Sequence, residues 1–283
     1  MKNWWKIALG AALTTSLSVT SYGQDASDYG EDGYNHNSVH PIHQSDQMYR
    51  MGIWRRINLK NKVNAPFFAQ GNEITKIIID AVKEGRLVPY QNDSLKSTMT
   101  REEFVQKITM EDEGLDADAG LSDDLGFGDG GFFEGDAAAP AVAASNEYFP
   151  QDLYLMELRE DLIFDKTRSR MYYDILALSM ILPAEKTAKG IDEPIATFRF
   201  KDLVEVFEQT PNAKWYNTYN RAEDKQLADA FELRLFHSYI IKMSNPRDQQ
   251  LTDIYNSDAL AGMIASQQME HKIIEWENDL WDY

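Results

Sequence analysis

Three histidines stand close together early in the chain: His36, His40 and His43, spaced H-x3-H-x2-H, with Asp32 and Asp46 nearby. Imidazoles at such intervals suit Zn²⁺ or Cu²⁺. A metal site also needs neighbours that orient its ligands. The surrounding QDASDYGEDGYNHNSVHPIHQ offers few apolar groups to build them from, and the cluster reads as adventitious. A second candidate begins Asp116-x-Asp118-x-Gly120 and continues with Asp123 and Asp124, like the start of a calcium loop. Its turn glycine comes one position early, and Phe127 stands where the bidentate glutamate belongs, so only weak, millimolar calcium binding is expected. Gly126, Gly128 and Gly131 match G-x-G-x-x-G literally. That match neither follows a strand nor opens a helix, and its acidic surroundings would repel a pyrophosphate.

Other chemistries fail on residue type. The chain has no cysteine, so thiol nucleophiles, disulfides and thiol-borne lipids are excluded. There is no nucleophile elbow, no H-E-x-x-H and no P-loop. His237 reads as a helix-face residue and His271 as a solvated one. No constellation supports catalysis, and no cofactor or metal is expected.

The net charge of −18 at pH 7 works against nucleic acid and against anionic lipid surfaces. A hydrophobic content of 43%, with 14 Tyr, 13 Phe and 6 Trp, is enough for a packed core. Residues 1–23 combine Lys2 and Lys6, a short apolar run from Ile7 to Val19, and small residues up to Gly23. This is the layout of a secretory signal peptide, too short in its apolar part to span a bilayer. Cleavage after Gly23 and export follow as expectations, with no direct membrane insertion.

The elements that must carry any site fall into blocks. Residues 24–45 read as a disordered lead-in and 46–110 as a first α+β region. Residues 111–147 read as an acidic, Gly/Ala-rich linker that lacks apolar periodicity. A second α+β region, 148–283, closes the chain. The fold class is thus α+β: short strands and a β-hairpin with packed helices, in two small folded regions joined by the linker.

In the first region a helix is expected over Asn72–Glu84, ended by Gly85, and another after the capping box Thr100-Arg101-Glu102-Glu103. In the second, strands at 153–164 and 170–182 form a hairpin around DKTRS, with a single helix through Arg168–Leu182 as the rival reading. A strand at Ile195–Phe200 precedes a short helix at Lys201–Glu208. Two longer helices are expected over Ala222–Lys242 and Ser257–Asp282. Candidate partner contacts are Trp54 with the basic Arg55 and Arg56 (near Lys60 and Lys62), Phe127, Phe132 and Phe133 in the acidic stretch, and Trp276 with Trp281. Packing onto the chain's own surface would equally explain these aromatics.

Three blocks together resemble a known family: SDQMYRMGIWRRINLKNKVNAPFFAQGNEITKIIIDAVKEGRLVPY, REDLIFDKTRSRMYYDILALSMILPA and ATFRFKDLVEVF. They are similar to the gliding-motility proteins called GldN or PorN, components of the type IX secretion system of Bacteroidota. The stretches W-R-R-I-N-L and F-D-K-x-R-S are the most specific parts. The resemblance implies a non-enzymatic periplasmic component that assembles with an outer-membrane lipoprotein, GldK or PorK, into a ring. It also implies contact with the periplasmic part of the motor protein GldM or PorM. It carries over no catalytic residue. Two other classes stay open on residues alone: a calcium-responsive adhesion module and a periplasmic hydrolase built on dispersed carboxylates.

Overall fold

The computed structural model describes residues 29–110, 147–187, 189–255 and 258–281. Its centre is an antiparallel sheet of five strands: β1 (Gln47–Asn58), β2 (Leu155–Asp165), β3 (Arg170–Leu182), β4 (Glu193–Arg199) and β7 (Ser238–Met243), in the order β4-β3-β2-β1-β7. A two-stranded ladder of β5 (Lys214–Trp215) and β6 (Lys225–Gln226) lies between β4 and β7 in sequence. The helices are α1 (Ile74–Lys83), α2 (Arg101–Ile108), α3 (Phe200–Gln209), α4 (Leu227–Glu232), α5 (Leu251–Ile254) and α6 (Ala259–Trp281).

The α+β expectation holds, and the two folded regions meet in one sheet. β1, from the first region, lies between β2 and β7 of the second, and it pairs with β2 from Gln47–Asp165 to Asn58–Leu155. The hairpin forms as β2 and β3, so residues 170–182 are strand. The last eight residues of β3 are buried without alternation, as for a strand covered on both faces.

Local chemistry explains most of the helices. α1 buries Ile74, Ile77, Ile78, Ala81 and Val82, and Gly85 beyond it has φ +78°. The capping box before α2 is complete: the Glu103 amide donates to Thr100 Oγ1 at 3.2 Å, and the Thr100 amide donates to Glu103 Oε2 at 3.0 Å.

The helix expected over Ala222–Lys242 does not form. α4 ends at Glu232, Arg234 takes a left-handed φ of +52°, and Ser238–Met243 becomes β7 against β1. The apolar spacing of Leu227, Phe231 and Leu235 suits a helix, but Tyr239, Ile240 and Ile241 are strand-forming residues and tertiary pairing decides. The buried Asn64 side chain helps to set the switch. Its Oδ1 accepts the His237 amide at 2.7 Å, and its Nδ2 donates to the carbonyls of His237 and Asn58 at 2.8 Å. Asn64→Ala would orphan these groups and is expected to lower the unfolding free energy by about 1–2 kcal/mol, read by urea denaturation.

Residues 24–45, expected to be disordered, are corrected from Tyr29 onward; 24–28 lie outside the described residues. Tyr29 pairs with Asn35, and the Tyr29 hydroxyl donates to Gln47 at 2.9 Å beneath the Arg50 guanidinium. The Ser38 hydroxyl donates to Asp174 Oδ1 at 2.8 Å. β4 pairs only with Ala177–Leu182, so among the described residues the first half of β3 has no strand partner on that side, and the N-terminal strap meets it at Asp174. The acidic stretch with its calcium-like and glycine patterns, and the expected signal peptide, lie outside the described residues.

Candidate functional site

The residues of W-R-R-I-N-L alternate across the middle of the sheet. Ile53, Arg55 and Ile57 point to the face that carries the core; Trp54 and Arg56 point to the other. The core face holds two apolar clusters. One gathers Ile57, Leu158, Ile175 and Phe231 with α1 to α4; the other gathers Ile53, Leu162, Ile240 and Met243 with Leu251 and Ile273 of α5 and α6. Between them, on β1 and β2, sit Arg55 and Glu160.

Arg55 Nε donates to Glu160 Oε1 at 2.5 Å, and Arg55 Nη1 donates to Glu270 Oε1 of α6 at 2.9 Å. Arg234, in its left-handed turn, donates Nη1 to Glu160 Oε2 at 2.6 Å and Nη2 to Oε1 at 3.2 Å. Its guanidinium lies 4.2 Å from the centre of the Tyr173 ring. Glu160 is wholly buried and Arg55 nearly so. Burial works against the Arg55 charge, but the Glu160 and Glu270 carboxylates outweigh it and hold its pKa above the ordinary value. Two cations thus face two anions, and the cluster ties β1, β2, the turn after α4 and α6 together. A wholly buried carboxylate held by two guanidiniums cannot reach a substrate proton, so the arrangement is structural.

The opposite face repeats the pattern with more solvent. Arg56 donates to Glu157 at 2.5 Å and to Asp192 at 2.7 Å. Arg50 pairs with the buried Asp161 at 2.7 Å. Trp54 Nε1 donates to Asp93 Oδ2 at 2.7 Å, and its ring lies 3.9 Å from Lys242 Nζ.

F-D-K-x-R-S is explained as directly. The buried Asp165 accepts from the Thr167 amide at 2.8 Å, the Thr167 hydroxyl at 2.5 Å and the Arg168 amide at 3.3 Å, which folds the hairpin turn. Burial opposes its charge, but the Thr167 and Arg168 donors prevail and lower its pKa. Ser169 completes the turn at φ +50°.

The basic patch expected on the surface is therefore corrected. Arg55 and Arg56 are ion-paired within the sheet, while Lys60 and Lys62 stay exposed, with Lys60 Nζ 3.6 Å from the Tyr154 ring centre. Trp276 packs with Tyr49 beside the second apolar cluster, whereas Trp281 is exposed. Phe127, Phe132 and Phe133 lie outside the described residues.

The three histidines go to separate partners: His36 to Asp32, His40 to Glu232 and His43 to Ser45. Among the described residues no three His, Asp or Glu side chains converge as a metal site, and no helix is long and apolar enough to cross a membrane. His237 lies in the turn before β7, not on a helix face.

Sequence reasoning missed Glu157, Glu160, Asp161, Asp192 and Glu270, the partners of Arg50, Arg55, Arg56 and Arg234. The period-2 placement of Glu160 between Leu158 and Leu162 was the available signal.

The chain is a mixed sheet-and-helix protein whose most distinctive residues brace its own strands. The chain belongs to the family described as gliding motility associated protein GldN, whose sequence profile matches residues 42–282. It is thus a gliding-motility component. Comparison with curated proteins returns no match.

Proposed function

We propose that this chain is an exported, non-enzymatic structural subunit of the type IX protein secretion and gliding machinery. It works in the periplasm by protein contacts. Many copies assemble into a ring with an outer-membrane lipoprotein of the GldK or PorK type, and the ring meets the periplasmic part of a GldM- or PorM-type motor protein. The observation that carries the reading is the family match across 42–282, which includes all five strands of the sheet and every helix named above. The roles of W-R-R-I-N-L and F-D-K-x-R-S support it, because the residues that carry the resemblance hold a rigid frame of ion pairs and turns.

Export and function can be tested in one strain. Deleting the gene should abolish both spreading on agar and secretion of type IX cargo, and the full chain should restore both. Mass spectrometry of the restored protein should find Gln24 at its N-terminus in the envelope fraction. An intact Met1 in the cytoplasm, or normal secretion in the deletion strain, would refute the proposal.

A further inference from the structure

Among the described residues, nothing covers the outer face of α6. This 23-residue helix turns Ala265, Ser266 and Ile273 inward, with Met269 and Trp276 partly covered beside them. Along the other side run Leu260, Ile264, Ile274 and Trp281, exposed by 62, 48, 56 and 57%, with Met263 beside them at 55%. Exposed Gln267, His271 and Asn278 fill the intervening turns, so the row follows the three-and-four spacing of one helix face. From Leu260 to Trp281 it extends about 31 Å at 1.5 Å per residue. Leu260, Met263 and Ile264 form one apolar cluster, and Ile274 and Trp281 continue the same face beyond polar Gln267, His271 and Asn278; five large exposed apolar side chains on one helix face mark an interaction site.

Its charge setting selects the occupant. Glu275 and Asp279 flank the row on one side and Glu277 on the other, while Glu270 is neutralised by Arg55. Lys272 is the lone Lys or Arg in α6, and it lies over the Trp276 ring. The same face of a second copy would bring the same three carboxylates and only one lysine, so two such faces do not complement each other, whatever other surfaces meet in a ring. Anionic lipid headgroups would be repelled likewise. Strand addition is blocked at the sheet's edge strands: β4 is met by Tyr90 at Thr197 and by Lys107 Nζ at the Ile195 carbonyl (3.2 Å). On β7 the Ile240 amide donates to Ser266 Oγ at 2.8 Å.

We infer that the outer face of α6 is a docking surface for an amphipathic helix of another protein, with an apolar stripe flanked by Lys or Arg. Apolar contact supplies the affinity, and the carboxylates set orientation and association rate. The inference is independent of the lipoprotein reading, because the test below measures this face alone.

Three synthetic helical peptides serve as probes for the purified full chain: a leucine stripe flanked by lysines, the same stripe flanked by glutamates, and a scramble of the lysine peptide that destroys the stripe. The lysine-flanked peptide should bind at least tenfold tighter than the other two. Ile264→Glu with Ile274→Glu should weaken it at least tenfold at an unchanged unfolding midpoint. Glu275→Lys with Asp279→Lys, a purely exposed change, should shift preference toward the glutamate-flanked peptide. Equal binding of the scramble, or of both variants, would overturn the inference. So would a dimer of the full chain, or its adsorption to phosphatidylglycerol vesicles, that Ile264→Glu with Ile274→Glu abolishes; these would assign the face to a second copy or to lipid.

Discussion

Glu160→Ala is expected to lose about 3–5 kcal/mol of folding free energy, the loss associated with stranding buried charge. The reason lies in what remains. Among the described residues Arg55 would keep Glu270 as its one carboxylate, and Arg234 would lose both of its bonds to Glu160. Two guanidiniums would then sit between the apolar clusters with too little counter-charge. The loss should appear as a large fall in the denaturation midpoint, and in the cell as loss of the protein. A triple replacement, Arg55→Met with Glu160→Leu and Arg234→Met, removes Glu160 and both of its arginines together and leaves the half-exposed Glu270 to water. It should recover most of the loss, because an apolar substitute of similar volume avoids the desolvation cost. If the triple variant were no more stable than Glu160→Ala, the cluster would contribute more than charge balance.

The second large effect is on pH dependence. Asp174 stands opposite Asp161 in the β2–β3 register, under the strap and beside Ser38. Arg50 bonds to Asp161, leaving Asp174 less well compensated. Burial is the main cause that pushes its pKa up to about 7, and the Asp161 charge adds to it. Because the folded value lies above that of an unfolded aspartate (about 3.9), the folded chain holds the extra proton between the two. The stability from this group is fully present below about pH 4 and is lost as pH rises through about 7. A shift of this size corresponds to at most about 4 kcal/mol, and partial exposure reduces it to about 2–3 kcal/mol. Asp174→Asn should therefore stabilise the protein by about that amount at pH 8 and change little at pH 4. Urea midpoints across this range check it. A variant with the same pH slope as the parent would show that Asp174 is not the titrating group.

The parts of the fold that were readable from sequence are those set locally. The hairpin around DKTRS, α1 with Gly85, the capping box before α2, and α6 all depend on residues within a few positions of one another. β1 was harder, because Arg55 occupies a core-facing position where alternation calls for an apolar residue, and its justification, Glu160, lies 105 residues away. β7 was hidden by the helical spacing of Leu227, Phe231 and Leu235; the left-handed Arg234 and the Asn64 clamp on His237 override it. The strap from Tyr29 to Gln44 has the composition of a disordered tail, yet long-range bonds from Tyr29 and Ser38 hold it. The same blindness to distant partners made Arg55 and Arg56 look like a free basic patch.

The central claim is that the chain acts as a subunit within an assembly, and its composition in the native envelope tests that most directly. A tagged full chain should be purified from gently solubilised envelopes, and the recovered proteins quantified by mass spectrometry. The expected result is one lipid-modified outer-membrane protein at a fixed ratio to the tagged chain, together in particles far larger than the 32.4 kDa of the full 283-residue chain. Recovery of the chain alone, as a monomer in the periplasmic fraction of cells that secrete and glide normally, would contradict it.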